Sequence, residues 1–159
     1  MKIIPYSSAR SKEITELFYT AVHHIDDAIY SQQQKEAWAP LPIDYLKWYE
    51  RLTIKKPYMA LLNKQVVGFI ELEHDIIDCA YVHPEHQGKG IGSALVNHVT
   101  SLAEKSDVTI LSVNASIIAK PLFEKLGFLI ESKNEVIRNN VLLTNYTMSL
   151  SLFGKSDGK

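Results

Sequence analysis

The chain has 159 residues, 46% of them apolar and 22% charged, with a formal net charge of -1, the make-up of one globular domain. That balance offers no basic patch for nucleic acid or an acidic membrane, and no apolar run approaches the length of a bilayer span. A lone cysteine, Cys79, excludes an internal disulfide; with no long apolar core at Met1–Ser7, the expected location is cytoplasmic.

Lys2–Tyr6 reads as a short edge strand. Ser11 is placed to cap a helix whose apolar face is Ile14, Leu17, Phe18, Ala21, Val22 and Ile25. His23, His24, Asp26 and Asp27 follow its end. They do not read as metal ligands, because helical neighbours point about 100° apart and do not converge as residues four apart would. Tyr30, Gln34 and Trp38 recur every four residues and share a face if their segment is helical. Asp44–Arg51 reads as a further short helix. Tyr58–Leu62 and Gln65–Glu73 form a hairpin through Asn63-Lys64, and Asp75 turns the chain into Ile76–Val82, a strand of β-branched and apolar residues.

After that strand come His83 and a loop holding three glycines in five residues, then a helix with Ile91, Leu95, Val99 and Leu102 inward. Glycine lets the backbone approach a ligand closely, and the N–H groups opening a helix attract an anion, so the loop is a candidate phosphate or pyrophosphate site. Gly88-Lys89 is followed by Gly90 in place of Ser or Thr, which argues against a nucleoside-triphosphate loop. A dinucleotide fingerprint would need the two-fold βαβ array, which is missing. Val108–Val113 suits a sheet interior, and Asn114-Ala115-Ser116 leads to a helix that Gly127 terminates. Phe128–Glu131 and Val141–Leu150 are the last strands, separated by a turn at Asn139-Asn140; 153–159 is expected to fray.

Gln87-Gly88-Lys89-Gly90-Ile91-Gly92 matches an acyl-CoA loop, and with Tyr81-Val82-His83-Pro84 before it the sequence resembles the GCN5-related N-acetyltransferase (GNAT) family. The likeness is strong from about Val67 to Met148 and weaker before. It implies one N-acetyltransferase domain over 1–152, of α/β (α+β) class: a central, mostly antiparallel mixed sheet, splayed at the CoA site, with helices on both faces. It implies acetyl-CoA as co-substrate and no metal. The cofactor-binding candidates are the backbone of Ala80, Tyr81 and Val82, the loop Gln87, Gly88, Lys89, Gly90, Ile91, Gly92 and Ser93, then Asn114 and Phe123.

Amine acetylation needs a held donor, a polarised carbonyl, a neutral amine and a tolerated thiolate. Asp78 shares strand parity with Ala80 and Val82 and is the candidate base, with Glu71, beside Glu73 on the preceding strand, as an alternative. The family's usual acid is a tyrosine where this chain has Phe123, which cannot donate a proton; Tyr146 or Tyr81 is a substitute. Tyr30, Gln34 and Trp38 are candidates for one wall of an acceptor pocket, since some family members carry a similar run there. Asp26, Asp27, Glu71, Glu73 and Asp78 are suited to a cationic small molecule such as a polyamine or aminoglycoside; a peptide amine is equally permitted. No nucleic acid or membrane partner is expected, and a homodimer is left open. A non-catalytic acyl-CoA-binding module on the same fold is the alternative.

Overall fold

The computed structural model describes residues 1–152; the expected frayed tail lies outside them. Seven strands form one sheet in the order β1-β2-β3-β4-β5-β7-β6. They are β1 (Lys2–Pro5), β2 (Tyr58–Leu62), β3 (Gln65–Glu73), β4 (Ile76–Val82), β5 (Ile110–Ser116), β6 (Leu129–Arg138) and β7 (Val141–Ser151). Every neighbouring pair is antiparallel except β4 and β5. The helices are α1 (Ser11–His23), α2 (Gln32–Trp38), α3 (Tyr45–Lys55), α4 (Ile91–Lys105) and α5 (Lys120–Lys125).

Each face of the sheet carries its own core. On one, Ile91, Leu95, Val96 and Val99 of α4 pack with Phe123, Val67, Ile70 and Ile77. On the other, Ile14, Leu17, Phe18 and Val22 of α1 and Leu52 of α3 pack with Met59, Val66 and Phe69. The period of 3.6 in the helices and 2 in the strands therefore separates the apolar residues as expected.

Local chemistry explains the turns. Asn63 and Lys64 take φ of 51° and 67°, and Asn139 and Asn140 take 49° and 65°, the left-handed values that a two-residue hairpin loop demands. Gly127, at φ 97°, ends α5.

Four expectations are corrected. Ser11 is the first residue of α1, not its cap: a 3₁₀ turn at Ser8–Arg10 precedes it, and Arg10 occupies the cap position with no side-chain bond. Ile25 lies beyond the end of α1 at His23. β5 begins at Ile110 and runs through Ser116, so Asn114 lies within the strand, paired with Thr147. β6 extends to Arg138, seven residues past the expected Glu131, because cross-strand pairing with β7 sustains a segment whose own alternation is weak.

Candidate active site

β4 and β5 stay together only briefly. Their register covers Ile76 with Ser112 and Ile77 with Val113, and β5 then continues alongside β7 while β4 runs on with β3. Ala80, Tyr81 and Val82 thus pair with β3 on one side and have no β5 partner on the other. This parting of two parallel strands is the splay, and it ends directly in the glycine loop.

Gly88 and Gly90 have φ of 79° and 81°, conformations that an L side chain adopts only under strain, and a Cβ on either would meet nothing within 4 Å. Bare main chain here faces open space. Gly90 caps α4, whose first internal bond is Ala94 N–H to the Gly90 carbonyl at 3.0 Å. The N–H groups of Ile91, Gly92 and Ser93 consequently have no intrahelical acceptor, and no acid sits in this first turn to neutralise them. Gly92 has a separate reason: its Cβ would come within 3.0 Å of Leu122, so it permits α5 to approach α4. Gln87 Nε2 donates to the Val82 carbonyl at 3.4 Å, and Lys89 Nζ lies 3.3 Å from His86 Nδ1. His83 Nδ1 accepts the Glu85 N–H at 3.1 Å, which gives it a local capping role in the loop. The fit to a diphosphate rests on these features: orphan donors at a helix start, flanking polar side chains, and no side-chain bulk at either left-handed position.

On the α1 face, the splay opens into a cleft of about 910 Å³. Phe18 and Tyr19 from α1, Trp38 from α2, Trp48 and Arg51 from α3, the start of β4 and the tip of the β6–β7 hairpin form its walls. Trp38 Nε1 donates to the Tyr81 hydroxyl at 3.2 Å, and Phe18 meets Trp48 at 4.5 Å and Tyr81 edge-on at 5.0 Å between ring centroids. Burial holds the Tyr81 hydroxyl well above the ordinary phenol range, so it stays protonated.

Asp78 does not follow the expected parity. The β3–β4 register runs Glu71 with Cys79 and then Leu72 with Ile77, so Asp78 is the extra residue of a bulge. Ala80 and Val82 pack toward the α4 core, whereas Asp78 Oδ2 meets Lys55 Nζ of α3 at 2.7 Å and Arg51 Nη2 at 3.5 Å. Glu71, buried, accepts from two of the three guanidinium nitrogens of Arg51, Nε and Nη2, and Glu73 pairs with Lys55. Burial works against the Arg51 charge but is outweighed by its partners, Glu71 and Asp78 among them, while hydrogen bonds to Asp78 and Glu73 hold Lys55 charged. Asp78 lines the cleft; Glu71 does not.

The other candidates divide. Tyr30 lines the cleft, but its hydroxyl donates to the Thr144 carbonyl at 2.7 Å and accepts the Ile117 N–H at 2.9 Å. Gln34 is outside the lining: it completes a capping box with Ser31 and donates to the Leu142 carbonyl at 3.0 Å. Asn114 lines the cleft, its Oδ1 accepting from Thr147 at 2.9 Å, and its amide N–H₂ has no hydrogen-bond partner among the described residues. Phe123 is 1% exposed and lies edge-on to Phe128. Tyr146 sits against the α4 core under Lys120, whose Nζ is 5.3 Å from its ring centroid, away from the cleft. Of the histidine–acid cluster, His23 Nε2 is 2.8 Å from the Ala39 carbonyl and Asp27 pairs with Lys35.

Sequence reading missed the cations. Lys47, Arg51 and Lys55 fall at four-residue spacing along one face of α3, a stripe legible in advance, and Arg51 reaches three groups of β3 and β4.

A family model described as an acetyltransferase (GNAT) domain matches residues 26–150. The uncharacterized N-acetyltransferase YafP of Escherichia coli is 34% identical over 148 residues, covering 93% of this chain and 94% of that protein. A GCN5-related N-acetyltransferase crystal structure from Rhodopseudomonas palustris superposes with a TM-score of 0.90 at 33% identity, covering 95% of each chain. The structure of yncA, a putative acetyltransferase from Salmonella typhimurium with its cofactor acetyl-CoA, has a TM-score of 0.70 at 22% identity, covering 96% of this chain and 94% of that one. The chain belongs to the GNAT acetyltransferase family and is an N-acetyltransferase.

Proposed function

We propose that this protein moves an acetyl group from acetyl-CoA directly to a primary amine of a small molecule or peptide, in the cytoplasm, with both substrates bound together. The observation that carries this reading is the set of three N–H groups without intrahelical acceptors at the start of α4, next to the splay between β4 and β5. The N–H groups of Ile91, Gly92 and Ser93 hold the diphosphate, with Gln87 and Lys89 at its flanks. The β4 backbone at Ala80–Val82 pairs with the pantetheine arm where β5 has left, and Asn114 reaches it from β5. Acetyl-CoA supplies the activated acyl group there.

The amine arrives through the cleft. Asp78, which lines it, takes the ammonium proton directly or through water. The amine nitrogen then bonds the acetyl carbon, the carbon–sulfur bond breaks, and the thiol leaves with a proton. Glu71 does not serve as base in this reading, since it is buried against Arg51 and absent from the cleft wall. Tyr81, protonated and in the cleft wall, is better placed than Tyr146 to return a proton to the thiolate, with Phe123 unable to do so.

The test is calorimetric titration of CoA into wild-type protein and Gly90→Val. A branched side chain at φ 81° fills the open space of the loop, so affinity should fall at least about tenfold. Unchanged affinity in a variant with wild-type circular dichroism, or no binding to the wild type, overturns the reading.

A further inference from the structure

The charges in the cleft run against the expectation of a cationic acceptor. Of the five carboxylates proposed to surround such a molecule, only Asp78 lines the cleft. Asp27 is engaged by Lys35, the Asp26 side chain accepts the Ala28 N–H, and Glu71 and Glu73 face Arg51 and Lys55. Asp78 is itself held between Lys55 and Arg51. The second acid of the wall, Asp44, caps α3 by accepting the Lys47 N–H at 3.0 Å.

Three cations stand against these two acids: Lys47, Arg51 and Arg138. Arg51 is compensated by Glu71 and Asp78, but Lys47 and Arg138 have no carboxylate within ion-pair distance among the described residues. Arg138 is held in place by its backbone. It ends β6 opposite Val141, and the next residue, Asn139, donates to the Ala37 carbonyl at 2.8 Å, pinning the hairpin tip to α2. Its charge is felt at the Tyr81 hydroxyl, where it opposes the upward effect of burial. Trp38 and Trp48 line the same cleft and give it apolar surface.

We infer that the acceptor is an amine that also carries an anionic group, as a free α-amino acid with an apolar side chain does. Its carboxylate faces Arg138 and Lys47, its apolar body lies on Trp38 and Trp48, and its amine reaches Asp78 at the splay. The inference rests on the acetyl-donor reading above and specifies its second substrate; the bonds made and broken are the same.

The experiment compares three amine arms at saturating acetyl-CoA: phenylalanine, leucine and methionine as free acids; the same three as carboxamides; and spermidine. The carboxamides have the less basic, more readily deprotonated amine, so chemistry alone favours them. The free acid should nonetheless give a kcat/KM at least about tenfold higher, and its KM should rise with ionic strength. Arg138→Gln and Lys47→Gln should each raise KM for the acid several-fold, leaving KM for the carboxamide and the Kd for CoA within about twofold. A carboxamide or spermidine equal to or better than the acid overturns the inference. So does turnover of none of the three by protein that binds CoA normally, an outcome that leaves the donor reading intact. Loss of CoA binding by the wild type removes both.

Discussion

Arg51 meets Glu71 through two nitrogens, Nη2 at 2.6 Å from Oε1 and Nε at 3.3 Å from Oε2, and so ties α3 to the C-terminal part of β3. The Glu71 side chain is 1% exposed and that of Arg51 34%. Taking the cation away strands a buried carboxylate. Arg51→Met should therefore lower stability by about 2–3 kcal/mol, below the range for a fully buried pair because Arg51 keeps some water. Urea denaturation measures it, and the double variant Arg51→Met with Glu71→Gln should recover part of the loss. A single-variant loss under about 0.5 kcal/mol would mean the pair behaves as a surface contact.

Tyr30 bridges segments remote in sequence, donating to Thr144 and accepting from Ile117. It is 2% exposed, so Tyr30→Phe leaves a carbonyl and an N–H short of a partner. The expected cost is about 1–3 kcal/mol in chemical denaturation. Amide exchange should quicken at Ile117. A variant as stable as wild type would show that water replaces the hydroxyl.

Gly68 lies in β3 beneath α4. A Cβ there would come within 3.0 Å of Leu95 Cδ1, 3.1 Å of the Tyr81 carbonyl oxygen and 3.2 Å of Ile91 Cγ2. One of these is backbone and cannot swing aside. Gly68→Ala should cost about 1–3 kcal/mol through overpacking, read as a lowered thermal midpoint. A neutral result would mean that α4 shifts freely over the sheet.

Cys79 gives a pH signature. Burial, reinforced by the nearby Glu71 charge, raises its thiol well above the ordinary value of 9.0, although Arg51 pulls the other way. The folded chain therefore retains a proton that the unfolded chain releases above about pH 9, so the unfolded state is favoured there. The stability contribution is complete below pH 9 and is lost as pH rises beyond it. Comparing urea midpoints at pH 7 and pH 10, wild type should fall further than Cys79→Ala. Thiol reagents should also react slowly with the native protein at pH 8. Equal pH dependence of the two proteins, with fast modification, would contradict this.

Much of the framework was legible locally. The α1 face, the Asn63-Lys64 and Asn139-Asn140 turns, the Gly127 stop and the strand–loop–helix unit around Gly88 and Gly90 all follow from residues within a few positions of one another. Side-chain period and tolerance of positive φ are properties of the local chain, so sequence reports them well. Elsewhere the expected local pattern was overridden. Ser11 lost its capping role to a 3₁₀ turn, β6 outran its own alternation by pairing with β7, and Asp78 changed faces at a bulge.

The sequence by itself determined the family and the glycine loop to which anion binding is assigned in the proposal, because glycine spacing and helix-start geometry are written in consecutive residues. Only the tertiary structure decided where β4 leaves β5, which carboxylates are already matched by cations, and which charges remain in the cleft. Those outcomes depend on pairs such as Arg51 with Glu71 and Asn139 with Ala37, 20 and 102 positions apart, whose meeting no local periodicity encodes.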